Sequence, residues 1–200
     1  DELACVLLDP KCGIIEIRPE FVRAVREITR RHGILLIFDE IVGFRTDVGG
    51  LQKVYGIEPD LSCFGKIVGG GFPVGAFGGR ADLMDRFDNS DGPTGFFQSG
   101  TFSAHPVTMA AGLATLNALT PEAIERLNAL GLQLKDGLNQ VFTTNGIPAR
   151  AVCTGSVFSL YFTEGPIHNY RDLAQTDKDP LYPLFLSLIE KGYFLGGPSL

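Results

Sequence analysis

No run of apolar residues in this sequence approaches the roughly 20 that a membrane-spanning helix requires. The opening residues, Asp1-Glu2-Leu3, carry neither a basic segment nor an apolar stretch of the kind that directs secretion. A cytoplasmic chain with no membrane partner is the expectation. Positive charge is scarce as well: 17 Lys and Arg against 23 Asp and Glu leave a formal net charge of −6, scattered without a basic cluster, which argues against nucleic acid as a partner. Cys5, Cys12, Cys63 and Cys153 share no CxxC spacing and sit mostly in apolar stretches, where a thiol behaves as a small hydrophobe. His32, His105 and His168 form no ligand pattern such as HExxH, so no metal site is expected. Nucleotide fingerprints are missing too. Gly65-Lys66 precedes the glycines Gly69 to Gly71 instead of following them, so neither GxxxxGK(S/T) nor GxGxxG is met.

What is present is the alternation of an α/β chain, with 44% hydrophobic and 20% charged residues. Leu3 to Leu8 and Ile34 to Phe38 are short continuous apolar runs that read as buried strands. Between them Pro19 suits a first helical turn, Phe21, Val22, Val25 and Ile28 recur at helical spacing, and Gly33 provides a stop. Strand, helix, strand predicts a right-handed βαβ crossover. A third strand is expected at Leu61 to Phe64, followed by a stretch from Gly69 to Gly75 too rich in glycine and proline for a regular element. Pro106 opens a helix of small residues, and the longest helix is expected from Thr120-Pro121 to about Thr144. Beyond it come a strand (Val157 to Phe162), a polar loop (Thr163 to Pro180), a helix (about Pro183 to Lys191) and a strand beginning at Tyr193. The expected domains are 1–119, part of a larger α/β domain, and 120–200, a connector helix with part of a smaller α/β domain. A strand at the very start and another begun just before Leu200 make both ends look cut.

Two residues stand out chemically. Ligands bind at the C-terminal ends of the strands in an open parallel sheet, and Asp39 and Lys66 both occupy such ends. A carboxylate after five apolar residues requires a cation, for which Lys66, Arg45 or a protonated ligand ring are the candidates. A lysine among apolar residues and glycines is suited to act as a nucleophilic amine, and carbonyl chemistry on such an amine needs an electron sink of the sort pyridoxal phosphate supplies. The alternative is structural: an aspartate that caps the next turn and a solvated turn lysine. Spacing alone leaves both open.

Longer motifs carry more. Phe38-Asp39-Glu40-Ile41-Val42-Gly43-Phe44-Arg45, Tyr55-Gly56-Ile57-Glu58-Pro59-Asp60-Leu61, the stretch from Phe64-Gly65-Lys66 to Gly78-Gly79, and Gly100-Thr101-Phe102-Ser103-Ala104-His105-Pro106 followed by Met109-Ala110-Ala111-Gly112 resemble, in order and spacing, the class III aminotransferases. Within that family the glutamate-1-semialdehyde 2,1-aminomutase branch is the nearest. The resemblance covers nearly the whole chain and implies pyridoxal-phosphate fold type I, the aspartate aminotransferase-like fold, whose large domain has a mainly parallel sheet and is followed by a small C-terminal α/β domain. It further implies Lys66 as the Schiff-base lysine, Asp39 as partner of the cofactor's ring nitrogen, and Ile41 packed on one face of that ring. Thr101 would reach the cofactor phosphate of a neighbouring subunit, so a homodimer with shared active sites is implied, acting on small amino and keto substrates. The Asp39-to-Arg45 motif is one residue shorter than usual in the aminomutase branch, and His105 replaces a common asparagine. The family's phosphate-binding loop and the aromatic residue that stacks on the other ring face are not in this sequence, so the chain alone is expected to be inactive.

Overall fold

The computed structural model describes residues 2–10, 12–15, 17–90, 92 and 96–195, and its contacts divide them into two compact units. The first comprises residues up to Cys12 together with Ile17–Asn128. Its four-stranded sheet has the order β1 (Cys5–Leu8), β2 (Leu35–Asp39), β3 (Leu61–Gly65), β4 (Gly75–Gly79). The first three strands are parallel, with Cys5 opposite Leu35 and Ile37 opposite Leu61. β4 runs antiparallel to β3, with Leu61 opposite Gly79. The sheet is therefore mainly parallel with one antiparallel edge. That edge extends what periodicity shows, because five residues with three glycines have no apolar alternation and are held by the ladder with β3.

Helix α1 (Pro19–Arg31) links β1 to β2, beginning with proline in its first turn, and Glu20 near its N-terminus and Arg30 and Arg31 in its last turn complement the helix dipole. The chain leaves the helix through Gly33 at φ +66, a conformation that favours glycine. One face of β2 forms the core. Leu36 and Phe38 are fully buried, along with Val22 of α1 and Leu51 of the short helix α2 (Gly50–Tyr55), and Tyr55 of α2 is buried beside them. Phe38 meets the Tyr55 ring edge-on at 6.4 Å. Each such apolar side chain contributes about 1.5–3 kcal/mol by leaving water. Leu35, Ile37 and Asp39, on the opposite face, are only half-buried. Beyond β4 come α3 (Ala81–Met84) and α4 (Pro106–Ala118), and α5 (Pro121–Asn145) begins within this unit.

The second unit, Gly13–Glu16 with Ala129–Leu200, holds the rest of α5, a hairpin of β5 (Arg150–Thr154) and β6 (Val157–Tyr161), α6 (Tyr170–Ala174) and α7 (Leu181–Glu190). Its core is Val152, Tyr161 and Ile167, with Ile15 and Leu173 packed against them. Two elements here escape periodicity. β5 is paired to β6 through the two-residue turn Gly155-Ser156, with Gly155 at φ +58, and the Asn139 amide bonds both the N–H and the C=O of Ala151. α6 has five residues and depends on a capping box between Asn169 and Asp172 inside the stretch expected as loop. Tyr193, Phe194 and Leu195 take no regular structure, and the remainder of the strand expected there lies outside the described residues.

Asp60, just before β3, ties the first unit together. Its carboxylate accepts the Leu36 N–H at 2.8 Å and pairs with Arg26 of α1 at 2.7 Å and with Arg80 beyond β4 at 2.9 Å. Burial alone would raise its pKa, but Arg26, the Leu36 N–H and Arg80 together hold it at about 2. The unfolded value is about 3.9, so this stabilisation is complete above that pH and is lost as the pH falls through the folded value. Asp60→Asn is expected to cost about 2–3 kcal/mol at neutral pH, less than a fully buried pair because Arg80 is half exposed. Urea unfolding at pH 7 and at about pH 3 checks it: the gap between wild type and variant must shrink at the acid end.

Candidate active site

Asp39 closes β2, and its place in the parallel ladder opposite Cys63 puts the two side chains on the same, half-buried face of the sheet. The thiol reflects that proximity: burial first, and then the Asp39 charge, push the Cys63 pKa up. Asp39 Oδ1 accepts the Ile41 N–H at 2.8 Å, a short turn that fixes the carboxylate's orientation. Among the described residues no ion pair to Asp39 is found. Ile41 turns its side chain toward the next position of that face on β3. A Cβ built on Gly65 would meet Ile41 Cγ2 and the Val74 carbonyl oxygen, each at 3.4 Å, so Ile41 packs against Gly65.

Lys66 follows immediately and opens a 3-10 turn, Lys66–Gly69. Its φ of +49 lies in the left-handed region, which costs a residue with a Cβ about 1 kcal/mol or more. Strain of that kind at a chemically capable side chain marks a constrained site. The amine itself is exposed, so the desolvation expected from its apolar neighbours is not supplied by the described residues: Ile67 and Val68 are half-buried and Gly69 is buried, while Lys66 stands at the rim. Thr101 is exposed in the paired turns Gly100–Ser103 and Phe102–His105 before α4, and no hydrogen bond joins it to the other three residues. Asp39, Ile41 and Lys66 are thus brought together by adjacent strand ends, and Thr101 is not.

Glu40 was not singled out by its sequence position, yet it is fully buried and organises the loop after β2. Its carboxylate accepts the N–H groups of Leu51 and Gln52 at 2.9 and 2.8 Å, at the start of α2. Burial raises its pKa, the two N–H groups oppose that, and Asp39 adds to it. Gly50, at φ +70, is required beside it, because a Cβ there would stand 2.5 Å from Glu40 Oε1. A cavity of about 920 Å³ lined by Arg26, Arg30, Lys53 and Arg80 opens at the other end of the strands, near Leu35 and Asp60, away from Asp39 and Lys66.

Residues 1–179 match the family model for aminotransferase class-III. The chain belongs to that family. Similar class III sequences include the glutamate-1-semialdehyde 2,1-aminomutase 2 of Brevibacillus brevis, 42% identical over 98% of this chain and 46% of that protein. An ω-transaminase from Sphaerobacter thermophilus superposes with a TM-score of 0.88 at 40% identity, over the whole of this chain and 46% of the other. A transaminase solved with PLP bound superposes with a TM-score of 0.87 at 32% identity, over 98% of this chain and 46% of its own. The fold is that of the class III pyridoxal-phosphate transaminases, and the chain spans under half the length of the relatives it matches.

The chemistry of three residues at these strand ends fits such a cofactor. Asp39 offers a carboxylate with no ion pair among the described residues, Ile41 packs against Gly65 beside it, and Lys66 is an exposed lysine at the next strand end. No helix among the described residues is long and apolar enough to cross a membrane.

Proposed function

We propose that this chain carries the catalytic half-site of a pyridoxal-phosphate enzyme that moves amino groups, with Lys66 as the covalent anchor and general acid–base, Asp39 as partner of the ring nitrogen and Ile41 against one ring face. The observation that carries it is the half-buried Asp39, with no ion pair among the described residues, one strand away from a conformationally strained Lys66. Bound there, the cofactor would act as an electron sink for the bond-making at the substrate carbon. Asp39 would hold a proton at the ring nitrogen, and the Lys66 amine would take a proton from the substrate carbon and return it to the adjacent position. Thr101, exposed before α4, is assigned to the phosphate bound by a second subunit, which makes the working form a homodimer.

The reaction favoured is the glutamate-1-semialdehyde 2,1-aminomutase exchange, in which the amino group moves within one substrate to give a tetrapyrrole precursor. It is supported by the aminomutase relatives at about 40% identity. The second reading, an ω- or amine transaminase passing an amino group from a donor amine to a keto acid, is supported by the ω-transaminase neighbour at 40% identity and a TM-score of 0.88. The two make opposite demands. An aminomutase must retain its intermediate while both ends of one substrate react, whereas a transaminase must release a first product and admit a second substrate. The complete polypeptide containing this chain is to be given glutamate-1-semialdehyde alone and, separately, an amine donor with pyruvate. Rapid formation of 5-aminolevulinate is expected; no product there together with steady alanine formation reverses the choice, and inactivity in both assays removes the proposal.

A further inference from the structure

The turn that carries Lys66 rests directly on the backbone of α4, and two glycines make that approach possible. At Gly112 a Cβ would stand 2.4 Å from the carbonyl oxygen of Val68, two residues after Lys66 in the same turn. Gly70, which ends the turn at φ +61 and donates its N–H to Ile67 O at 3.1 Å, has the Ala111 carbonyl oxygen 2.3 Å from where its own Cβ would be. Val74 closes the other side, its Cγ1 lying 2.7 Å from the Cβ position of Gly69. At both glycines the atoms nearest the missing Cβ are main chain, which cannot yield by rotating a side chain.

We propose that Gly112 is a positioning residue for Lys66: with no side chain at 112, the Val68 carbonyl seats on α4, and that contact holds Lys66 in its left-handed backbone and sets where its amine stands. This rests on the reading of Lys66 as the cofactor's anchor. A methyl group at 112 has to displace the turn by about 1 Å to reach ordinary contact, and shifts of that size at a reacting group are costly to rate. The left-handed φ of Lys66 would then be free to relax.

The test uses the complete holoprotein and two readouts. In the first, PLP is added to apoprotein and trapped with borohydride, and the labelled peptide is mapped. Gly112→Ala is expected to slow labelling of Lys66 about tenfold or more. Gly131→Ala, where a Cβ would stand 2.5 Å from Gly155 O in the second unit, is expected to lower the melting temperature and leave the labelling rate unchanged. Label on a different lysine refutes the anchor assignment, whereas label on Lys66 at the wild-type rate in Gly112→Ala refutes the positioning role alone. The second readout needs no cofactor. With Gly112 in place, Lys66→Gly is expected to unfold at a higher urea midpoint than Lys66→Ala, because glycine tolerates the imposed φ. The difference should close when Gly112→Ala is added. Equal midpoints for the two Lys66 variants beside Gly112 overturn the proposal even if Gly112→Ala does not fold.

Discussion

Lys66→Ala in the complete protein is expected to abolish turnover and, with it, the visible absorbance of covalently held cofactor. Of the residues that the strand ends bring together, Asp39 and Ile41 carry no amine, and the 3-10 turn from Lys66 to Gly69 contains only one lysine. Among the described residues of those strand ends, none other carries an amine to substitute for it. The expected loss is complete rather than partial, because the amine serves twice, as covalent anchor and as the group that moves the proton. Borohydride reduction of the wild-type holoprotein, followed by peptide mapping, should put the label on Lys66. Finding it on Lys53, Lys135 or any other lysine would end this assignment.

Asp39→Asn tests the other half of the site and separates binding from chemistry. Asparagine is nearly isosteric and can still accept the Ile41 N–H through its side-chain oxygen, so the turn after β2 should persist. Cofactor absorbance should therefore remain. An amide has no charge with which to hold a proton at the ring nitrogen, and the expected loss in turnover is on the order of 10²-fold or more. Single-turnover measurements with saturating cofactor distinguish this from weakened binding, and a near wild-type rate would refute the role given to Asp39.

The candidate site was legible in part because its two proposed residues interrupt local patterns. Asp39 follows five apolar residues and Lys66 follows Cys63-Phe64-Gly65, so each is conspicuous without knowledge of its neighbours. The βαβ unit was legible for the same reason: α1 and the strands it joins depend on short-range periodicity and on Pro19 and Gly33 at the helix ends. What escaped has long-range causes. β4 is a strand by virtue of its partner β3, β5 by virtue of β6 and Asn139, and Asp60 matters because Arg26, Leu36 and Arg80, 34, 24 and 20 residues away, converge on it. Glu40 reads as half of an acidic pair, yet it is buried and spoken for by the N–H groups of Leu51 and Gln52.

By itself the sequence determined which residue types stand at the ends of the buried strands, and through its ordered motifs it determined the family. Both follow from chemistry written along the chain: apolar runs exclude charge unless something compensates it, and glycine and proline interrupt regular elements wherever they cluster. Tertiary structure alone decided the conformation of the turn that carries Lys66. The left-handed φ of Lys66 and the bare approach of Val68 to Gly112 and of Gly70 to Ala111 depend on segments far apart in the chain meeting within van der Waals distance. A residue's type and spacing say what it could do, whereas main-chain contact between α4 and the turn sets where the Lys66 amine is held, because close-packed backbone transmits position with little give.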